Sequence, residues 1–459
     1  MAALAMAGGV GAGGGRAWGQ GELLPIFRPP VLFGSGGGYP FGLAAGDVTG
    51  PSNQPDGFPE LAVVNGGFDV NRRILWSGMG VRIYRNTGNW ADPADGLQLL
   101  HDITEHFHDE FDNPITVPAD VRFAHMNPGE DEYLDLVIST SSLDPNDENS
   151  PGIWGVFVYL WNQPLQRFQL KTFMPTPLPV RGLAVADFDL DGLNDVAVAP
   201  DLNLWYVPID QVYVLRNDPS DPGRLDLAAA VVLDIDSHDS PAGMVVADFN
   251  RTSGPVRPDI VTGNLLDNNI SLLTNTGGFG FTTAHRNAPC GSWRFHAMAT
   301  GRFSANTLRH DVAGLIYSEG VIQILHGDGR GNFSFDCSQD ELDTYYLSPP
   351  PLPFVPAWDG IAVGQLNLGT KPDLVVTRPN KNTSAITFLL GRGDGAFQYV
   401  AGNPSYHKAL DTGNGPDYSK MAIQVICADL NQDGLDDVIT ANHESHNITV
   451  LINAMVVIP

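Results

Sequence analysis

A pattern that returns about every sixty residues constrains this chain more than any other feature. Each copy joins a short apolar run through a polar loop to a second apolar run. The copies are GDVTGPSNQPDGFPELAVVN from Gly46, AHMNPGEDEYLDLVIST from Ala124, ADFDLDGLNDVAVAP from Ala186, ADFNRTSGPVRPDIVTGN from Ala247, GRFSANTLRHDVAGLIY from Gly301, GQLNLGTKPDLVVTRPN from Gly364 and ADLNQDGLDDVITAN from Ala428. Their first loop residues are Asp47, His125, Asp187, Asp248, Arg302, Gln365 and Asp429, at successive spacings of 78, 62, 61, 54, 63 and 64. A period of this length is the mark of one supersecondary unit repeated and stacked, not of unrelated domains in series.

Within a unit a third apolar run follows, as in VYVLRN at Val212, ISLLTN at Ile270 and ITVLIN at Ile448. A Gly-rich turn then leads to an aromatic residue, as in GDGRGNF ending at Phe333 and GRGDGAF ending at Phe397. Short apolar runs joined by Asp-Gly and Gly-Asn turns are antiparallel hairpins. Four strands per unit and seven units predict an all-β, seven-bladed β-propeller of four-stranded antiparallel blades. The 51 Gly and 35 Pro residues between Val/Ile/Leu runs agree with such a turn-rich chain. The last unit ends after its third strand, whereas Ile26 to Phe33 precedes the first unit and has the character of a lone fourth strand. An N-terminal strand completing the last blade would close the ring and cover its edges.

Charge narrows the partners. With 52 acidic and 25 basic residues the net charge is −27, which opposes nucleic acid and anionic membrane surfaces. No run reaches the 18 or so apolar residues of a membrane span, so no membrane insertion is expected. Residues 1–19, small and apolar up to Ala17-Trp18-Gly19, resemble a secretory signal or form a flexible segment, and 20–459 is a single propeller. The expectation is a monomer, secreted or at the cell surface, with the periplasm as an alternative. Three cysteines do not make a disulfide scaffold. Cys427 reads as a small core residue, and a Cys290 to Cys337 bridge stays open.

The combination of VADFN or VADFD, D-x-D-x-D-G-x-x-D, an apolar strand and a later G-x-G-D-G-x-F turn resembles the FG-GAP and VCBS repeats of integrin-α-like propellers. The resemblance covers nearly everything after about residue 25 and is most specific in units three and seven. It implies a seven-bladed propeller, often secreted or on the cell surface, with calcium in the loop between the first two strands of some blades. Members serve as adhesion modules, lectins and scaffolds within some polysaccharide lyases.

The loop chemistry stands beside that resemblance. Calcium takes six to eight hard oxygens, which a tight loop can offer from alternate positions while a glycine makes the sharp turn. In unit three these are Asp187, Asp189, Asp191, the Leu193 carbonyl and Asp195; in unit seven they are Asp429, Asn431, Asp433, the Leu435 carbonyl and Asp437. An EF-hand is the rival reading, but Val198 and Thr440 replace the Glu it needs at position twelve. The structural alternative is that these acids cap turns. Unit one keeps a weaker set, Asp47, Asp56 and Glu60, and unit four has Asp248, Asn250 and Asp259 around Arg251 and Arg257. Arg302, Gln365 and Lys371 argue against calcium in units five and six.

No P-loop, G-x-S-x-G or H-E-x-x-H occurs; His443-Glu444-Ser445-His446 has the wrong spacing, and Gly9, Gly11 and Gly14 match G-x-G-x-x-G without a preceding strand. His106 and His108 are candidate transition-metal ligands whose bland reading is a solvated loop. Arg392-Gly393-Asp394 spells an adhesion tripeptide but falls where the repeat demands a turn. Long connections on the face opposite the acidic loops carry Trp76, Trp205, Tyr206, Tyr345, Tyr346 and Tyr406, with Phe107 and Trp293 nearby, residues suited to stacking on sugars or to protein contacts or to packing under their own loops. The function read from the sequence is a calcium-stabilised, non-enzymatic binding module for a glycan or extracellular protein. The alternative is a polysaccharide lyase-like enzyme working from those opposite loops, and a third is a passive envelope component.

Overall fold

The second strand of each unit carries consecutive apolar residues after its leading acid, and such a run asks to be covered on both faces. The computed structural model does this by standing seven small sheets around a ring. It describes residues 25–50, 54–66, 78–92, 95–109, 115–141, 153–200, 210–235, 241–251, 256–264, 269–287, 295–304, 309–316, 321–335, 344–346, 360–380, 383–399 and 422–454.

Blade one comprises β2 (Pro40–Gly46), β3 (Glu60–Asn65), β4 (Gly80–Asn86) and β5 (Leu97–Ile103). Blade two is β6 (Val117–Ala124), β7 (Asp135–Ser141), β8 (Gly155–Asn162) and β9 (Arg167–Pro175), and blade three β10 (Val180–Ala186), β11 (Asp195–Pro200), β12 (Gln211–Asn217) and β13 (Leu225–Asp234). Blade four follows with β14 (Pro241–Ala247), β15 (Asp259–Asn264), β16 (Asn269–Gly277) and β17 (Gly280–Asn287). Blade five holds β18 (Phe295–Gly301), β19 (Asp311–Ile316), β20 (Val321–Gly327) and, both paired to β20, β21 (Phe333–Ser334) and β22 (Thr344–Tyr346). Blade six is β23 (Ile361–Gly364), β24 (Asp373–Asn380), β25 (Thr383–Gly391) and β26 (Phe397–Tyr399). Blade seven has β27 (Ala422–Ala428), β28 (Asp437–Asn442) and β29 (Asn447–Leu451).

The fourth strand of blade seven comes from the other end of the chain. β1 (Val31–Gly34) lies antiparallel to β29, pairing Val31 with Val450 and Gly34 with Asn447. An isolated bridge from Phe27 to Asn453 extends the contact. The ring closure expected from the sequence is therefore present.

Core packing repeats the ring. One apolar cluster fills each gap between neighbouring blades, from blades one and two (Val64, Val121, Leu136) round to blades six and seven (Val375, Phe388, Val438) and back to blade one (Leu61, Ile439, Val450). Every described residue of β3, β7, β11, β15, β19 and β28 is buried. Each full-size side chain placed there contributes about 1.5–3 kcal/mol by leaving water.

Several smaller expectations resolve here. Val198 and Thr440 lie inside β11 and β28, so the acidic loops lead into strands and are not EF-hands. Cys427 packs beside the cluster between blades six and seven, and it is a free cysteine. Cys290 and Cys337 lie outside the described residues, as do residues 1–19.

Candidate metal centre

Both full-length acidic loops connect the innermost strand of a blade to its second strand, and they fold alike. In loop three the Asp187 carboxylate accepts from the Asp191 amide at 3.1 Å and the Gly192 amide at 2.9 Å, while Asp189 also accepts from Asp191. In loop seven Asp429 accepts from the Asp433 amide at 3.1 Å and the Gly434 amide at 2.8 Å, and Asn431 takes the place of Asp189. The turns need left-handed backbone at two points: Leu190 (φ 65°) and Gly192 (φ 95°) in one, Gln432 (φ 58°) and Gly434 (φ 87°) in the other. Glycine adopts such angles without cost, and a leucine or glutamine does so only where its surroundings impose them.

This folding gathers charge. Asp187, Asp189 and Asp195 each place an oxygen within 4.8 Å of the others, a grouping of hard donors that suits calcium. Asp191 does not join that group. Its carboxylate accepts from the Leu193 amide and lies 3.2 Å from the Arg216 guanidinium, which also reaches Asp189 at 2.6 Å. The backbone of Leu193 and the parallel backbone of Leu435 are tied to Asp191 and Asp433 through their amides. Burial and the neighbouring Asp191 raise the Asp189 carboxyl above the ordinary range.

Similarity to known proteins is confined to shape. No protein-family model matches the sequence, and no curated protein matches it. Among solved structures, the chain resembles the structure titled "Crystal structure of BBS1N in complex with ARL6DN, soaked with lead", with a TM-score of 0.50 and 10% identity over 94% of this chain and 98% of that one. A likeness at that identity speaks for the propeller fold alone.

The ninth-position acid has a second role that sequence reasoning missed. In loop three the buried Asp195 carboxylate accepts from the Phe188 amide at 2.9 Å and, across the blade, from the Asn217 amide of β12 at 2.8 Å. Asp437 does the same with Leu430 and Asn453. So do Asp135 with Met126 and Trp161, Asp259 with Phe249 and Asn275, Asp311 with Ser304 and Gly327, and Asp373 with Leu366 and Gly391. In blade one the longer Glu60 binds the Val48 and Thr49 amides and the Thr49 hydroxyl. Each such acid clamps the loop to the blade, whether or not the rest of the loop is acidic. Burial pushes Asp135 and Asp195 up to about 7 and Asp437 up to about 8, against the backbone amides that favour the anion. The visible signal was the Asp retained in HDVAG and KPDLVV, in loops that otherwise lost their acids.

A second missed set is an Asn at or near the end of several third strands. Asn217 donates to the Met126 carbonyl of blade two, Asn275 to Phe188 of blade three, Asn453 to Leu366 of blade six and Asn86 to Leu430 of blade seven. Each latches one blade onto the loop of the blade before it. The endings RN, TN and IN of those runs carried the signal.

The remaining candidates fall into place. Asp47 accepts from the Asp56 and Gly57 amides, and Glu60 is buried in its clamp. Among the described residues, the group of acids that converges is that of loop three. His106 binds the Tyr159 hydroxyl at 2.8 Å, His108 the Thr104 carbonyl, and Phe107 takes the packing alternative, buried against Phe157. Arg392 and Asp394 pair at 3.5 Å inside a turn closed by the Arg392 amide on the Ala396 carbonyl. His443 and His446 flank Tyr39 on the opposite face. Trp76, Trp205, Tyr206, Trp293 and Tyr406 lie outside the described residues, and Tyr345 and Tyr346 are described as backbone partners of β20. Among the described residues no helix is long and apolar enough to cross a membrane.

Proposed function

We propose that this chain is a calcium-stabilised propeller of the FG-GAP/VCBS kind that works as an exported, non-enzymatic binding or adhesion module for a glycan or protein. The observation that carries the calcium reading is the convergence of Asp187, Asp189 and Asp195 within 4.8 Å on a loop whose turn holds two left-handed residues. Three carboxylates so close repel one another, and a divalent cation relieves that repulsion while using the same oxygens. Loop seven offers the same scaffold with Asn431 as a neutral oxygen donor.

The binding-module reading is supported by the architecture: a ring with loops on both faces, similar in shape to a propeller crystallised in complex with another protein. The test has two parts. Added calcium should raise the melting temperature of chelator-treated protein, and an unmoved curve sinks the loop assignment. Affinity electrophoresis through neutral and acidic polysaccharides, followed by assay for new chain ends, tests the role: retardation without cleavage is expected.

One observation favours the enzyme as a second reading. Asp120, Arg122, Arg181 and His296 converge on a single central cavity. New chain ends in the same experiment would establish it.

A further inference from the structure

The innermost strands share an irregularity that the loops do not explain. In six blades the register between the first strand and the second shifts by one residue near its start, at Phe41, Ala119, Arg181, Ala242, His296 and Ile423. A one-residue bulge bends its strand and re-aims the side chain it carries, and bulges cluster beside binding sites. Five of these six residues line one cavity on the ring axis, at the end of the inner strands away from the acidic loops.

The cavity measures about 210 Å³, below the roughly 300–1,000 Å³ of drug-sized pockets. Two guanidiniums, Arg122 and Arg181, face one carboxylate, Asp120, within its lining. That carboxylate is already committed: one oxygen accepts from the Arg122 guanidinium at 2.6 Å and from the Val121 amide at 2.8 Å. Arg181 lies 5.3 Å over the ring of Phe41, so its plane is oriented by an aromatic wall. Ile361, Ile423 and Met298 supply the apolar remainder. Arg122 is thereby paired with Asp120, and Arg181 brings a second guanidinium into the same lining.

We infer that the central cavity is a binding site for a small organic carboxylate, held by the guanidiniums of Arg181 and Arg122 with its apolar body against Phe41 and Ile423. Planar guanidinium matches planar carboxylate through paired N–H donors. The cavity volume admits one small molecule and no folded partner. The inference goes beyond the calcium and adhesion reading and does not depend on it, because none of the acidic-loop residues lines the cavity.

The test is calorimetric titration of the full-length protein with benzoate, its neutral analogue benzamide, and inorganic phosphate, with and without calcium. Benzoate is expected to bind at about 1 mM or tighter, benzamide at least tenfold more weakly, and phosphate more weakly than benzoate. Arg181→Gln should weaken benzoate at least tenfold with its melting temperature kept. Phe41→Leu, which removes the ring and leaves the charges, should weaken it severalfold. Equal affinity for benzoate and benzamide overturns the inference, as does phosphate binding as tightly as benzoate, or no heat from any probe. The benzoate and benzamide comparison on the unmodified protein decides the matter even where a variant fails to fold.

Discussion

The guanidinium of Arg216 lies 2.6 Å from the carboxylate of Asp189, inside the loop whose three carboxylates converge. It is a tethered positive charge competing for the oxygens a divalent ion would use. The residue at the same place in blade seven, just before the Asn that meets the clamp, is the uncharged Ile452. Loop seven is therefore expected to bind calcium more tightly than loop three. Arg216→Gln should raise the affinity of loop three about tenfold, the scale of one 1.4 kcal/mol interaction. Titration calorimetry of the variant against the parent reads this directly, and an unchanged weaker site would refute it.

Removing a clamp should cost more than removing a loop acid. Asp135→Ala leaves the buried Met126 and Trp161 amides without their acceptor. An unsatisfied buried donor costs about 1–3 kcal/mol, so a loss of a few kcal/mol is expected. A chemical denaturation midpoint within error of the parent would show that the clamp is ornamental.

The same acids set a pH dependence. Glu60 and Asp135 are pushed up to about 7 by burial, and Asp259 to about 6, whereas their ordinary values are near 4. The folded state then binds protons more tightly than the unfolded chain, so the stability these groups contribute is full below pH 4 and is lost as pH rises through 6 to 7. In calcium-free buffer the melting temperature should climb as pH is lowered from 8 to 5. Asp135→Asn, which cannot titrate, should flatten part of that slope.

Latches between blades predict a directional weakness. Asn453 donates from blade seven to the Leu366 and Asp436 carbonyls. Its replacement by Ala should cost about 1–2 kcal/mol, and proteolysis should cut first near blades six and seven. Cleavage distributed as in the parent would argue against the latch.

Deletion through Gly34 removes β1 and bares the edge of β29. An exposed strand edge invites pairing with another chain. The expected results are a melting temperature several degrees lower and a concentration-dependent larger species by size-exclusion chromatography with light scattering. A monomer of parental stability would mean that the closing strand is dispensable.

Much of this molecule was legible because repetition multiplies weak signals. One short apolar run is ambiguous, but seven in register with their turns specify blades, and the lone strand near Val31 specified the closure. The convergence of Asp187, Asp189 and Asp195 was legible as well, since their spacing sets them on one tight loop. The second duty of Asp195 was hidden because a clamp and a ligand look alike in sequence; only Asp311 and Asp373, surviving in loops without other acids, separate the two roles. For Phe107 the sequence left a contact surface and packing under its own loop both open, because its polar neighbours read as solvated loop; the ring folds beneath them. The bulges at Phe41, Arg181 and His296 left no composition signature beyond a small residue after each. Which side chains meet on the axis depends on a one-residue slip that hydrophobic pattern does not record.

The pairing of β1 with β29 has a mechanical meaning. Whatever precedes the ring and whatever follows it depart from the same blade and, because the pair is antiparallel, from the same end of it, so a pull applied to both ends unzips one short pair, Val31 to Gly34 against Asn447 to Val450, starting at Val31. The other six blades feel no load until that seam parts. Hung from a surface by either end, the disc would swing on a single hinge point with both flat sides free.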